Sequence, residues 1–363
     1  MNRSIFKKLP LRQLPELDAI RFLSILLVVL HHQFFDQNFI LSWFRKHGWV
    51  GVDIFFVMSG FLITTTLLKE QTTKNKINLK LFWYRRILRL WPSWLMTLAL
   101  SFIMVFFISR NQPVLREALN HRWWHYFLHF GNYDHAYLGQ LHTLFSHFWS
   151  LSVEEYFYLF WPLLLIGLRT RKQLIMAISI LIIVPLLFRY YYITNGHTVY
   201  VISLPTHTRI DEILFGCLLA LYFPRIKDLA LGAEVFLTGI MLALFYVALY
   251  HGRLNYQSRV LYSLTYTMCG IASCLLVILA LKGGEFGLRR LLKIKLFAKL
   301  GVLSYGVYLI HFHMNFIVYS LLSKFSITDN QTLIAAVNFT VPFIPAYFMY
   351  FYIDEFFAKF KRH

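Results

Sequence analysis

Apolar runs long enough to cross a bilayer recur about ten times in this 363-residue chain, and no other feature constrains its fold as strongly. A crossing needs about 20 mostly apolar residues. The runs fall at 18–36, 50–68, 88–108, 149–168, 173–193, 208–224, 231–250, 260–281, 298–322 and 331–353. Backbone in hydrocarbon must satisfy its own hydrogen bonds, so runs of this length are expected to be helices. With 58% hydrophobic residues and a mean hydropathy of +0.55, little sequence is left for a soluble domain. The first run is too long for a cleaved signal, opens with Asp18 and Arg21, and has no small-residue cleavage site. The expectation is an all-α, multi-pass membrane protein of about ten transmembrane helices, with residues 1–363 forming one domain.

The formal charge of +19 is a topology signal once the basic residues are placed. If the N-terminus is cytoplasmic and each run crosses once, 25 of the 36 lysines and arginines fall on cytoplasmic segments and 8 outside. The cytoplasmic groups include Arg3, Lys7, Lys8 and Arg12, the stretch from Lys69 to Arg89, Arg169 to Lys172, Lys282 to Lys299, and Lys359, Lys361 and Arg362. Arg21, Arg189 and Arg209 lie within runs. This bias places both termini in the cytoplasm and favours contact with anionic lipid, with no nucleic-acid partner expected. Cys217, Cys269 and Cys274 all sit in apolar runs and read as structural thiols. The outer segment 109–148 is rich in His, Trp and Tyr, but its histidines lack thiolate or carboxylate partners in register, so no metal site is expected.

The block His147-Phe-Trp-Ser-Leu-Ser-Val-Glu-Glu155-Tyr-Phe-Tyr-Leu-Phe-Trp-Pro162 puts two carboxylates, Glu154 and Glu155, at the mouth of an apolar run. Charge beside lipid is costly, so such a pair marks a functional site more often than a helix dipole complement alone. The other ionisable residues sort into two layers. His32, Asp53, His147, Glu154, Glu155, Arg209, Asp211, Glu212 and His311 fall toward the outer face; Arg21, Arg85, Arg86 and Arg89 fall toward the cytoplasm. Guanidinium forks suit phosphate oxygens, and carboxylate plus imidazole suits removal of a proton from a hydroxyl. Arg21 and His32, eleven residues apart, would share one helix face about 16 Å apart along the axis. A His-x4-Asp pattern at His31 and Asp36 is read as coincidence. Residues five apart on a helix point about 140° away from each other, and no Glu-Gly-x-Arg partner follows.

Five segments in order carry a family resemblance. They are Leu17-Asp-Ala-Ile-Arg21 through His32; Gly48-Trp-Val-Gly-Val-Asp53-Ile-Phe-Phe-Val-Met-Ser59-Gly-Phe-Leu-Ile-Thr64; Phe82-Trp-Tyr-Arg85-Arg-Ile-Leu-Arg89-Leu-Trp-Pro92; the Trp-Ser-Leu-Ser-Val-Glu-Glu block; and Leu300-Gly-Val-Leu-Ser304-Tyr305-Gly-Val-Tyr-Leu-Ile-His311. Together they resemble the acyltransferase-3 family, integral membrane acyltransferases that include bacterial polysaccharide and lipopolysaccharide O-acetyltransferases. The family's arginine-x10-histidine motif falls on Arg21 and His32, and its Arg-x-x-Arg element on Arg86 and Arg89. The chain departs from the family at Tyr156, where glutamine is common, and at Phe356, where the family has proline.

The resemblance implies a multi-pass protein of the bacterial inner membrane. It implies O-acyl transfer from cytoplasmic acyl-CoA, most often acetyl-CoA, to a hydroxyl of an extracytoplasmic glycan or lipid-linked sugar. Arg86, Arg89 and Arg85 would hold the coenzyme phosphates, with Arg21 lower in the channel. His32 would act as base or transient acyl carrier, and Glu154 or Glu155 would orient it. Asp53, Ser59, His147, Arg209, Asp211 and His311 are second-tier substrate or supporting residues. Relatives often carry an appended extracytoplasmic hydrolase-like domain, which is not expected here. Two other functions fit the pattern less well. One is a donor subunit that passes acyl groups to a separate extracytoplasmic transferase. The other is a secondary transporter, against which stands the lack of an inverted repeat.

Overall fold

The computed structural model describes residues 14–33, 39–168, 170–252, 258–284, 287–324 and 331–360. Among the positions read from sequence, Asp36, Arg169, Lys361, Arg362 and the basic tail Arg3 to Arg12 lie outside the described residues. Every regular element among the described residues is helical. Eleven of these helices have ten or more residues: α1 Pro15–His31, α2 Val50–Lys74, α3 Leu79–Ile108, α4 Pro113–Phe127, α5 Phe148–Gly167, α6 Arg171–Thr194, α7 Thr206–Tyr222, α8 Leu231–Val247, α9 Arg259–Lys282, α10 Ser304–Lys324 and α11 Gln331–Thr340. Seven described helical segments are long and apolar enough to cross a membrane. They are Val50–Lys74, Leu79–Asn111, Arg171–Thr194, Leu231–Tyr250, Arg259–Lys282, Ser304–Lys324 and Leu333–Lys359. The three remaining expected runs lie on α1 and α7, of 17 residues each, and on α5, where Glu154 and Glu155 interrupt the apolar stretch.

The chain divides into two compact units. The first comprises Met1–Arg21, Val52–Leu79 and Val153–Lys299, and the second Phe22–Gly51, Lys80–Ser152 and Leu300–His363.

In the first unit, α7 packs on α6 and α9, and α8 packs on α9. The crossing of α2 and α7 is set by two glycines. A Cβ on Gly60 would stand 1.9 Å from the Ile213 carbonyl oxygen, and one on Gly216 would stand 2.0 Å from that of Val57. Only glycine at both positions lets the backbones approach so closely, as is common between membrane helices. That contact fixes Asp53 and Ser59, on α2, relative to the polar start of α7. Cys217 and Cys269 are fully buried here and Cys274 is half-buried, all three as free thiols.

In the second unit, an apolar core joins Trp94, Leu98 and Val105 of α3 to Leu144, Phe145 and Phe148 and to Leu309, Ile310 and Phe312 of α10. Segment 109–148 is largely helical too. Its α4 folds onto the short helix Gly131–Leu138 around the buried carboxylate of Asp134. That carboxylate accepts from Arg122 Nε at 2.9 Å, His125 Nδ1 at 2.5 Å and Tyr126 Oη at 2.9 Å. His129, in the intervening turn, stacks on the Trp94 ring at 4.3 Å.

Candidate active site

In the second unit, α1 closes at His31, and His32 follows in the first turn, its backbone N–H still donating to Val28 O at 3.2 Å. The His32 ring is half-buried, with Nδ1 2.9 Å from the Val28 carbonyl oxygen. A carbonyl only accepts, so Nδ1 carries the proton and Nε2 holds the lone pair of the neutral ring. His31 is tied differently, through Nδ1 to the Arg45 carbonyl at 2.5 Å.

His311, on α10 and fully buried, repeats this arrangement. Its Nδ1 donates to Tyr308 O at 2.6 Å, which leaves Nε2 as an acceptor 3.3 Å from His32 Nδ1. The two rings therefore form a directional chain, in which His32 Nδ1–H is shared by Val28 O and His311 Nε2. Phe312 walls the pair, with its ring 4.5 Å from His32 and 5.3 Å from His147, on which it stacks. His147 is buried 5.4 Å from His311, ring to ring. Its carbonyl accepts from Tyr308 Oη at 2.9 Å, and Tyr308 Oη also bonds Ser150 Oγ.

Sequence reasoning missed His313, which lies two residues beyond His311 and is fully buried, with Nε2 2.7 Å from Ser101 Oγ. Residues two apart on a helix point about 200° apart, so His313 was indistinguishable in sequence from a core histidine. Its buried partner, Ser101, sits 212 positions away.

The basic cluster is in this unit as well, near the start of α3. Arg85 and Arg89 are exposed, while Arg86 is half-buried with its guanidinium 5.7 Å from the Phe82 ring centre. No carboxylate among the described residues pairs with Arg85 or Arg89. Two exposed forks one turn apart suit a polyanion such as a phosphorylated coenzyme.

The first unit holds the carboxylates. Glu154, near the start of α5, accepts from Ser59 Oγ at 2.5 Å through Oε1 and from Tyr158 Oη at 3.0 Å through Oε2. Glu155, its neighbour, is half-buried. Asp53 and Glu212 share the guanidinium of Arg209. Nη2 bonds Asp53 Oδ1 and Nε donates to Glu212 Oε2 at 3.1 Å, while Nη1 donates to Ser203 O at 2.9 Å. The Tyr266 ring lies 4.0 Å beneath the same cation. Arg21 is half-buried and pairs with Asp18 one turn earlier on α1.

Asp211 is held by Arg189, which the sequence marked only as an intramembrane arginine. Arg189 is completely buried. Nη1 and Nη2 reach Asp211 Oδ1 and Oδ2 at 3.0 and 2.8 Å. The remaining donors go to Thr208 O at 2.6 Å, Ser263 O at 2.8 Å and Thr267 Oγ1 at 2.7 Å, and Thr267 Oγ1 donates in turn to Asp211 Oδ2 at 2.8 Å. All five N–H groups are therefore matched, and the pair ties α6, α7 and α9 together.

A family pattern described as an acyltransferase domain, acyltransferase-3, matches residues 14–353. The O-acetyltransferase OatA of Staphylococcus aureus is 27% identical over 323 residues, which cover 83% of this chain and 50% of that protein. The peptidoglycan O-acetyltransferase OatA of Listeria monocytogenes is 33% identical over 227 residues, covering 59% of this chain and 34% of that one. The chain thus spans about half the length, or less, of the curated relatives it matches. No solved structure matches it. With the family pattern covering nearly its whole length, this chain belongs to the acyltransferase-3 family.

Proposed function

We propose that this chain moves an acetyl group from cytoplasmic acetyl-CoA to a hydroxyl of an extracytoplasmic glycan, with His32 as the base. The observation that carries the reading is the pairing of His32 with His311. One imidazole is held with its Nε2 lone pair uncommitted to either anchoring carbonyl, and with a second imidazole behind it. Its similarity to two O-acetyltransferases, one of them a peptidoglycan O-acetyltransferase, supports acetyl as the group transferred and an envelope glycan as the acceptor.

In the proposed reaction, His32 Nε2 takes the proton of the acceptor hydroxyl as that oxygen attacks the thioester carbonyl. The carbon–sulfur bond breaks, and the coenzyme leaves as a thiolate that receives the proton from His32. Throughout, Nδ1–H stays on Val28 O and His311 Nε2, which fixes the tautomer and disperses charge on the imidazolium, as the carboxylate of a hydrolase triad does. Arg85, Arg86 and Arg89 bind the coenzyme phosphates. Glu154 and Glu155 are retained as carboxylates of the chemistry, with Ser59 and Tyr158 holding Glu154. Both termini are placed in the cytoplasm of a bacterial inner membrane, with α1, α5 and α7 added to the seven long spans to make ten.

Sidedness tests this reading. In vesicles of known orientation, labelled acetyl from acetyl-CoA should enter glycan only when donor reaches the cytoplasmic face. Incorporation from the opposite face alone would overturn it.

A further inference from the structure

The second unit holds a side chain that the chemistry above does not use. Asn315, on α10, is fully buried, and neither its Nδ2 nor its Oδ1 has a hydrogen-bond partner. It follows His311 by four residues, so it lies on the same helix face, about 6 Å further along the axis. Asn338, on α11, is buried as well. Its Nδ2 donates to Gln33 Oε1 at 3.0 Å, and its Oδ1 has no partner. Gln33 is anchored through Nε2 to Val29 O at 3.0 Å and directly follows His32. α10 packs against α11. The helix carrying His311 thus presents an open amide donor and acceptor at Asn315, and its neighbour α11 an open amide acceptor at Asn338.

A buried amide without partners is costly, because each unmatched atom has given up its hydrogen bonds to water and gained none in return. Two such atoms on one residue mark a place that a polar ligand completes. The chemistry narrows the ligand. No formal charge resides on Asn315, Asn338 or Gln33, so an anion or cation would find no counter-charge on these residues. An alkyl chain would leave the amides unmatched. A secondary amide brings one N–H and one C=O on opposite edges, which a donor on one helix and an acceptor on the other can engage.

We propose that Asn315, with Asn338, forms a subsite for a secondary amide, the acetamido group of an amino-sugar acceptor. The assignment of source rests on the function proposed above. Asn315 lies on the Lys324 side of His311, which in that topology is the outer side, where the acceptor arrives. The pantetheine arm of the donor also carries secondary amides and is the other source of the same chemistry.

Thermal stabilisation of the full chain in detergent tests the subsite without requiring turnover. The probes are N,N′-diacetylchitobiose, cellobiose (its hydroxyl counterpart) and pantetheine, each with wild type, Asn315→Leu and Asn338→Leu. Diacetylchitobiose should raise the Tm of wild type, cellobiose should not, and Asn315→Leu should weaken the apparent affinity about tenfold or more. Stabilisation by pantetheine that Asn315→Leu abolishes would keep the amide subsite and move its source to the donor. The proposal is overturned if neither amide compound stabilises wild type, or if both variants respond as wild type does. Should Asn315→Leu not fold, Asn338→Leu gives the same reading through the other helix. Failure of acetyl transfer with intact amide-dependent stabilisation would count against the proposed reaction and not against the subsite.

Discussion

His32 Nδ1 and His311 Nε2 stand 3.3 Å apart, each ring tied by its Nδ1 to a carbonyl of its own helix, so the pair has one direction. In the proposed reaction His311 positions His32 without touching the reacting atoms. Replacing it with phenylalanine should lower kcat about 100-fold and leave both KM values within about threefold, since a mis-set tautomer affects the proton transfer alone. Glutamine, whose Oε1 can accept from Nδ1–H, should restore part of the rate. Equal losses in both variants, or a loss confined to KM, would assign His311 to packing.

Arg86 and Arg89 sit one turn apart on α3. The double variant Arg86→Ala/Arg89→Ala should raise the KM for acetyl-CoA about tenfold or more, because each charge-assisted bond to phosphate contributes about 1.5–3 kcal/mol. The acceptor KM should stay near its wild-type value. An unchanged donor KM removes the cluster from coenzyme binding.

Arg189 and Asp211 form a buried network in which every guanidinium N–H is matched, and their expected contribution is to stability. Arg189→Met should destabilise the protein by about 3–5 kcal/mol, the cost of leaving one member of a buried pair alone. Thermal unfolding in detergent measures it. Activity per folded molecule should persist in Asp211→Asn, and its selective loss at normal stability would return Asp211 to the chemistry.

Much of the helical plan was legible because crossing length and apolar composition leave few alternatives. The run at 173–193 became α6 Arg171–Thr194, and that at 260–281 became α9 Arg259–Lys282. Less legible was the extent of α3. It begins at Leu79, nine residues before its apolar run, so Arg85 to Arg89 ride on the same helix that enters the core. The helices of segment 109–148 were not anticipated: the buried Asp134 carboxylate gathers Arg122, His125 and Tyr126, while Leu119 and Tyr126 join an apolar core built with the distant helices α3 and α10. At the site, His32 and His311 were both singled out, but their pairing spans 279 positions and no local pattern encodes it. The same holds for Arg189, whose partner Asp211 and whose Thr267 are brought in by the packing of α6, α7 and α9.

Segment 109–148 should be sensitive to acid. Burial pushes His129 down to about 4 and His135 down to about 4, where Asp134 opposes the shift and Arg122 adds to it. Unfolded histidine titrates near 6.5. Because the unfolded chain takes protons first, stability is full above about pH 6.5, falls as pH drops, and the loss saturates below about pH 4. At pH 5 the loss is about 2 kcal/mol per histidine. Thermal unfolding at pH 7.5 and pH 5 should show a drop that His129→Phe reduces; an equal drop in the variant contradicts this assignment.

The most direct test of the central claim is labelled acetyl transfer from acetyl-CoA into envelope glycan, comparing wild type with His32→Ala at matched membrane levels. The account predicts robust incorporation by wild type and a loss of at least about 100-fold in the variant, whose folding and insertion are unchanged. Transfer by His32→Ala at the wild-type rate would contradict it.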